Sequence, residues 1–121
     1  MPQDAQILYE KRGAVAIITL NRPKALNAIS IQMRAELAQA QSKAETDGDI
    51  RVVILTGNGR GFSAGTDIPE MDMHGHATIT DHVMKDYKPL IDAIGQSQKI
   101  YIAAINGVCA GVALGLALNC D

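Results

Sequence analysis

The sequence is poor in aromatic residues and carries no strong charge of either sign. Of its 121 residues, 3% are aromatic and none is Trp, so a base-stacking surface for single-stranded nucleic acid is not expected. Lys and Arg number 11 against 13 Asp and Glu, a net charge of −2. That balance lacks the basic patch that nucleic acids or membrane surfaces attract. A small molecule or another protein is therefore the expected partner.

Cysteine is also scarce, and a secretion signal is missing. Cys109 and Cys120 lie in an apolar stretch without CxxC spacing. We therefore expect reduced, buried thiols rather than a zinc site or a disulfide. The segment MPQDAQILYEKRG has an early acidic residue and no apolar signal core. These features together predict a cytoplasmic protein.

One long uncharged run calls for comparison with a membrane helix. No charged residue occurs in positions 100–120, and Gly107, Gly111 and Gly115 have the GxxxG spacing of packed membrane helices. However, a bilayer span needs about 20 apolar residues, and the turn dipeptide that begins at Asn106 divides the run. A buried strand, a turn and a buried helix are therefore predicted, with no membrane partner.

The apolar periodicity predicts an α/β domain. At 47% hydrophobic and 20% charged residues, the composition is that of a globular protein, and the length suits one domain. The strand AVAIITL is almost wholly apolar, which predicts cover on both faces. The predicted strands are two within 7–20 joined at Arg12-Gly13, then 52–57 and 100–105. The predicted helices run from the N-cap Ser30 to near Asp47, from about Thr80 with Pro89 kinking or splitting it, and over about 110–119.

A glycine-rich loop follows the strand at 52–57. Its glycines fit neither the Walker pattern nor the Rossmann GxGxxG spacing, so a nucleotide site is disfavoured. Gly65-Thr66 follows one buried strand, and Gly111 begins a helix after another. The first N–H groups of a helix lack intrahelical partners. Backbone N–H groups from two such turns are the components of an oxyanion hole.

Three blocks of sequence make this hypothesis more specific. ITLNRPKALNAIS (18–30), VVILTGNGRGFSAGTDI (52–68) and INGVCAGVALGLALNCD (105–121) closely resemble the enoyl-CoA hydratase/isomerase family, the crotonases. The resemblance covers almost the whole chain. It implies a crotonase-like spiral of ββα repeats, of which residues 1–121 would be the N-terminal part of a single domain, with the C-terminal part absent.

The resemblance also implies a site. Family members bind acyl-CoA thioesters, with coenzyme A as part of the substrate and no separate cofactor or metal, and assemble as homotrimers or hexamers. Thr66 and Gly111 match the two residues whose N–H groups hold the thioester oxygen. The expected substrate-binding residues are Lys24, Ala25, Leu26, Ala64, Gly65, Asp67, Ile68, Val112 and Gly115.

One position departs from the family pattern. Gly115 stands where hydratases carry a catalytic Glu, and it offers neither acid nor base. A two-carboxylate hydration is therefore disfavoured, and isomerase-like or other single-base enolate chemistry is preferred. The small residue would also leave room for a bulkier acyl group.

Other titratable residues leave alternatives open. Asp67 is either a base or, as the AGxD pattern favours, a structural residue that ties down its loop. His74, His76 and His82 lie close in sequence, but a solvated loop is favoured over a metal site. Contact of His74 or His76 with the acyl group stays open. The alternative to an enzyme is a non-catalytic CoA-thioester binding or scaffold subunit.

Overall fold

A single mixed sheet forms the centre of the fold. The computed structural model describes residues 5–67 and 85–121. The strands are β1 (Ile7–Arg12), β2 (Val15–Leu20), β3 (Val52–Gly57) and β4 (Ile100–Ala104), in the order β1-β2-β3-β4. β1 is antiparallel to β2, and β2, β3 and β4 are mutually parallel. The helices are α1 (Ile31–Thr46), α2 (Lys88–Gly95) and α3 (Val112–Leu118). The predicted α/β class is confirmed.

The first two strands form a tight hairpin. Arg12 pairs with Val15 across the connection, and Gly13 has φ +59°. Glycine adopts this left-handed conformation without a Cβ clash, which the short turn requires. The predicted division of residues 7–20 at Arg12-Gly13 is confirmed.

Helix α1 begins at the predicted cap. The Ser30 side chain accepts a hydrogen bond of 3.0 Å from the Met33 N–H, which satisfies one of the orphan donors of the first turn. Met33, Leu37, Ala40 and Ala44 form its buried face. That face joins the core against the sheet, and Asp47 ends the helix as expected.

Pro89 starts a helix instead of bending one. It occupies the first turn of α2, whose N-cap is Tyr87. Proline is tolerated there because an N–H in the first turn has no intrahelical partner. Lys85 and Asp86 are also helical, with a turn at Tyr87 before α2 begins. The alternative that Pro89 splits the predicted helix is thus the one observed, and residues 80–84 of that prediction lie outside the described residues.

Strand β2 is fully covered on one face only. Ala16, Ile18 and Leu20 are 0% exposed and pack in the core with the buried face of α1. Its other residues are half-buried. One of these residues, Ile17, pairs with Ile54 of β3, and Ile54 pairs with Ile102 of β4. Ile102, on the same face of the sheet, is 46% exposed. The expectation of cover on both faces is wrong for the described part of the chain, where the helices cover one side.

Two further predictions concern the uncharged run. None of the helices within residues 5–67 and 85–121 is long and apolar enough to cross a bilayer. Cys109 and Cys120 are free, as expected, but they are half-buried rather than buried. Burial, aided by the Asp121 charge, raises the pKa of Cys120 to about 11.

Candidate active site

A buried asparagine organises the turn after β2. Asn27 is 0% exposed and adopts φ +55°. Its side-chain amide donates to the carbonyl oxygens of Asn58, at 3.1 Å, and Gly61, at 2.9 Å. Its Oδ1 accepts from the Arg22 N–H at 2.7 Å. Asn27 therefore joins this turn to the glycine-rich loop, a role that sequence reasoning missed. The available signal was that Asn tolerates the left-handed conformation better than most residues.

The N–H groups on either side of Thr66 donate hydrogen bonds to other groups of the protein. Ala64 donates to the Leu26 carbonyl at 2.9 Å, and Gly65 donates to Ser63 Oγ at 3.1 Å. Beyond Thr66, Asp67 donates to the Ile29 carbonyl at 3.0 Å.

The Thr66 N–H differs from its neighbours. Ile29 pairs with Thr66 as a parallel bridge, but that bridge uses the N–H of Asp67 and the carbonyl of Gly65. Among the described residues, no group accepts a hydrogen bond from the Thr66 N–H. Within residues 5–67 and 85–121, the backbone hydrogen bonds of the fold therefore do not use the predicted first donor.

The second turn also contains N–H groups that no described residue accepts from. Gly111, at φ +61°, is the N-cap of α3, which begins at Val112. Neither the Gly111 N–H nor the Val112 N–H has an acceptor within the described part of the chain. Because Val112 is the first helical residue, no intrahelical partner exists for it. The structure thus adds the Val112 N–H to the donor predicted at Gly111.

The two turns are in contact. Ser63 and Cys109 form a parallel bridge, and the Ala110 N–H donates to the Ser63 carbonyl at 3.1 Å. A Cβ added at Gly65 would lie 2.9 Å from the carbonyl oxygen of Ala110, while one added at Gly111 would lie 3.6 Å from the Gly65 Cα. The absence of a side chain at position 65 permits this close approach. It places Gly65, which precedes Thr66, against Gly111.

Asp67 forms an ion pair beside this place. Its Oδ2 lies 2.9 Å from Arg22 Nη1, with 12% and 22% of the two side chains exposed. The same Arg22 nitrogen donates to the Ala28 carbonyl at 2.7 Å. The guanidinium therefore holds the Asp67 carboxylate against the turn, a geometry that favours the structural interpretation over that of a free base.

The side chain of Ile91 occupies the space next to Gly115. A Cβ on Gly115 would meet Cδ1 of Ile91, on α2, at 3.2 Å. Ile91 is partly buried and packs against the core. The expected room for a bulkier acyl group next to Gly115 is therefore largely filled by an apolar side chain.

The residues of segment 24–26, predicted to bind substrate, lie in two different environments. Lys24 and Ala25 lie in a 3-10 turn that lines an open cleft of about 600 Å³, together with Arg22. The Leu26 carbonyl instead contacts the Ala64 loop. The cleft thus adjoins the candidate site through Arg22, which also holds Asp67.

Some predicted residues lie outside the described residues. They are Ile68, His74, His76 and His82. Within the described ranges, no group of three or more His, Cys, Asp or Glu residues is arranged to hold a metal ion.

Comparison with known proteins matches this architecture to one family. The model of the family described as "Enoyl-CoA hydratase/isomerase" matches residues 10–121. The chain is 38% identical over 118 residues to 1,2-epoxyphenylacetyl-CoA isomerase of Escherichia coli, covering 95% of this chain and 45% of that protein. It is 37% identical over 115 residues to a probable enoyl-CoA hydratase of Rhodobacter capsulatus, covering 95% and 44%.

A solved structure agrees with these relatives. Enoyl-CoA hydratase subunit I from Geobacillus kaustophilus superposes with a TM-score of 0.81 at 38% identity, covering 97% of this chain and 44% of that one. The chain therefore belongs to the enoyl-CoA hydratase/isomerase family and has part of the crotonase fold. It spans less than half the length of these three relatives.

Proposed function

We propose that the protein acts on acyl-CoA thioesters by stabilising an enolate in an oxyanion hole. The donors are the N–H of Thr66 and those of Gly111 and Val112 at the start of α3. The observation that carries the proposal is the contact between Gly65 and Gly111, since both turns contain N–H groups without an acceptor among the described residues. Preorganised donors of this kind contribute about 3–4 kcal/mol each to a transition state.

The reaction we propose is a single-base proton transfer. A base removes a proton from the α-carbon, the electron pair moves to the thioester oxygen, and the proton returns at the α- or γ-carbon. Return at the γ-carbon moves a double bond between the 3 and 2 positions. Hydration is disfavoured because Gly115 supplies no acid or base, and the apolar Ile91 fills the adjacent space.

The remaining features of the proposal follow the family. The turn at Lys24 and Ala25 borders the CoA moiety. The cationic side chains of Arg22 and Lys24 line the same cleft and suit a phosphate-bearing ligand. The chemistry uses no cofactor beyond the CoA of the substrate. A homotrimer or hexamer in the cytoplasm, active in fatty acid metabolism, is the proposed context.

A second candidate is a CoA-thioester binding subunit without catalysis. It is supported by the surroundings of the proposed hole. Asp67 is held by Arg22, and Gly115 faces Ile91 rather than a carboxylate. Binding would then use the same N–H donors without proton transfer.

Two measurements separate these candidates. The first compares the affinities of butanoyl-CoA and the thioether S-butyl-CoA, which lacks the carbonyl oxygen. The second follows deuterium uptake at the α- and γ-carbons of an enoyl-CoA in heavy water. We expect the thioester to bind about tenfold more tightly and exchange to occur. Preference without exchange would support the binding subunit, and equal affinities would contradict both candidates.

A further inference from the structure

A buried serine connects the two turns of the proposed hole. Ser63 is 0% exposed. Its backbone N–H donates to the Val108 carbonyl at 3.0 Å, and its carbonyl accepts from the Ala110 N–H at 3.1 Å. These bonds belong to the parallel bridge between Ser63 and Cys109. The backbone of Ser63 is therefore fixed to the segment that leads directly to Gly111.

The side chain of Ser63 joins two further parts of the site. Its Oγ donates to the Asn27 carbonyl at 2.8 Å and accepts from the Gly65 N–H at 3.1 Å. A hydroxyl has one proton to donate and two lone pairs that accept. Because the proton is used on Asn27, the hydroxyl presents its lone pairs to Gly65 in a defined orientation.

The direction of the Thr66 N–H depends on two consecutive peptide units. The first donor belongs to the unit between Gly65 and Thr66, in which the planar trans peptide points the carbonyl and the N–H in opposite directions. The Ile29 N–H holds that carbonyl at 2.7 Å. The preceding unit, between Ala64 and Gly65, carries the N–H that Ser63 accepts. Ile29 thus holds one unit and Ser63 holds the other.

Gly65 is the joint between these two peptide units. Its φ of +101° lies in a region that side-chain-bearing residues rarely adopt, and glycine has more conformational freedom than any other residue. That freedom permits the close approach to Gly111, but it leaves the direction of the donor unit dependent on hydrogen bonds. Ser63 supplies the bond on the N-terminal side of the joint.

We propose that Ser63 is a positioning residue for the oxyanion hole: its hydroxyl holds the Gly65 N–H and so fixes the direction of the Thr66 N–H relative to the turn at Gly111. This inference rests on the proposed function. Because Ser63 is fully buried, it acts through the backbone rather than by touching the substrate. Catalysis through a fixed donor is sensitive to displacements of about 1 Å, so the loss of this hydrogen bond should be measurable in the bound ligand.

The readout is the infrared carbonyl stretch of bound butanoyl-CoA labelled with ¹³C at the thioester carbon. Hydrogen bonds from a hole lower this frequency, whereas a change in overall stability alone does not. In the whole chain we expect a downshift that becomes smaller in Ser63→Ala. It should not vanish, because the bonds to Val108 and Ala110 use only the backbone of Ser63. We also expect α-carbon exchange to slow about three- to tenfold, the effect of one neutral hydrogen bond.

A second variant weakens the same bond without removing it. Ser63→Cys keeps a donor and an acceptor at this position, but both are weak. Its carbonyl shift should therefore lie between those of the wild-type protein and Ser63→Ala. If Ser63→Ala fails to fold, Ser63→Cys decides the proposal, since a full wild-type shift in this variant would overturn it.

The matched control is Ser30→Ala, the same change at another buried serine. Ser30 is 1% exposed, and its Oγ accepts from the Met33 N–H at 3.0 Å, at the start of α1. Both variants should lower the midpoint of urea unfolding, but Ser30→Ala should keep the wild-type carbonyl shift. An equal loss of shift in Ser30→Ala and Ser63→Ala would overturn the positioning role, because general loosening would then explain the effect.

The outcomes also separate this inference from the proposed function. A wild-type shift retained in Ser63→Ala would overturn the positioning role while leaving the hole in place. No shift in the wild-type protein would instead overturn the proposed function, and this inference with it.

Discussion

Gly115 on α3 lies against Ile91 on α2, with Cδ1 of Ile91 3.2 Å from the point that a Cβ of residue 115 would occupy. This contact is tighter than ordinary van der Waals packing, and its partner is the end of a flexible side chain. Position 115 is thus an apolar contact between two helices, and its glycine is a packing residue.

We predict that the effect of Gly115→Ala depends on Ile91. Alanine in a helix is about 1 kcal/mol more favourable than glycine, but in the wild-type protein its Cβ would press on Ile91. We expect little net change there, and a gain of about 1 kcal/mol in the Ile91→Val background, where Cδ1 is absent. Urea unfolding of the four proteins of this cycle measures the coupling. Strict additivity would show that the contact has no energetic weight.

Gly65→Ala should be strongly destabilising. The new Cβ would lie 2.9 Å from the Ala110 carbonyl oxygen, a backbone atom, at a residue with φ +101°. We expect a loss of about 2–4 kcal/mol in the free energy of unfolding, along with loss of thioester binding. Gly48→Ala is the matched control because a Cβ there meets nothing within 4 Å. Equal stability of the two variants would contradict the close approach of the turns.

Replacing Asn27 should destabilise the protein by removing the hydrogen bonds that join the turn before α1 to the glycine-rich loop. Asn27→Ala leaves the Asn58 and Gly61 carbonyls and the Arg22 N–H without this partner and places alanine at φ +55°. A loss of about 3 kcal/mol is expected from thermal or urea unfolding. Asn119→Ala, which removes one exposed hydrogen bond to the Gly115 carbonyl, should cost much less. A cost below about 1 kcal/mol for Asn27→Ala would mean that water replaces these bonds.

Stability should fall in alkaline solution because of Cys120. Burial first, and then the Asp121 charge, raise the pKa of this thiol from 9.0 to about 11. The folded state therefore holds the proton more tightly than the unfolded state, so the stabilisation is complete below pH 9 and is lost as pH rises toward 11. We expect a loss of about 1 kcal/mol, reduced from the full linkage value by partial exposure.

A variant isolates the contribution of this thiol. In Cys120→Ser the fall in the free energy of unfolding between pH 9 and 11 should be smaller than in the wild-type protein. Part of the fall should remain, because burial also raises the pKa of Cys109 above 9.0 and that of Tyr101 from 10.0 to about 12. Identical pH profiles for the two proteins would contradict the assignment to Cys120.

Local patterns predicted the elements of the fold well. The Ser30 cap, the helical spacing of Met33 and Leu37, and the hairpin at Gly13 each depend on residues close in sequence. The effect of Pro89 was harder to predict, since it depends on whether the helix continues before this residue or starts there. The exposure of Ile102 depends on which elements cover the sheet, and no sequence periodicity contains that information.

Sequence patterns alone gave only a weak indication of the candidate site. Thr66 and Gly111 were predicted from the resemblance of their sequence blocks to the family, because glycine-containing turns after buried strands occur in many α/β proteins. The side-chain contacts that support them join residues distant in sequence, such as Arg22 with Asp67 and Ser63 with Asn27. Such pairs depend on how distant segments pack together, which no single segment encodes.

The contact between Gly65 and Gly111 has a consequence for folding kinetics. These turns follow β3 and β4, which pair in parallel, so neither a hairpin nor any other local structure can bring them together. Parallel pairing closes long loops before any favourable contact forms and is intrinsically slow. Recovery of thioester affinity should therefore be among the last events of refolding, later than the appearance of helical signal from α1.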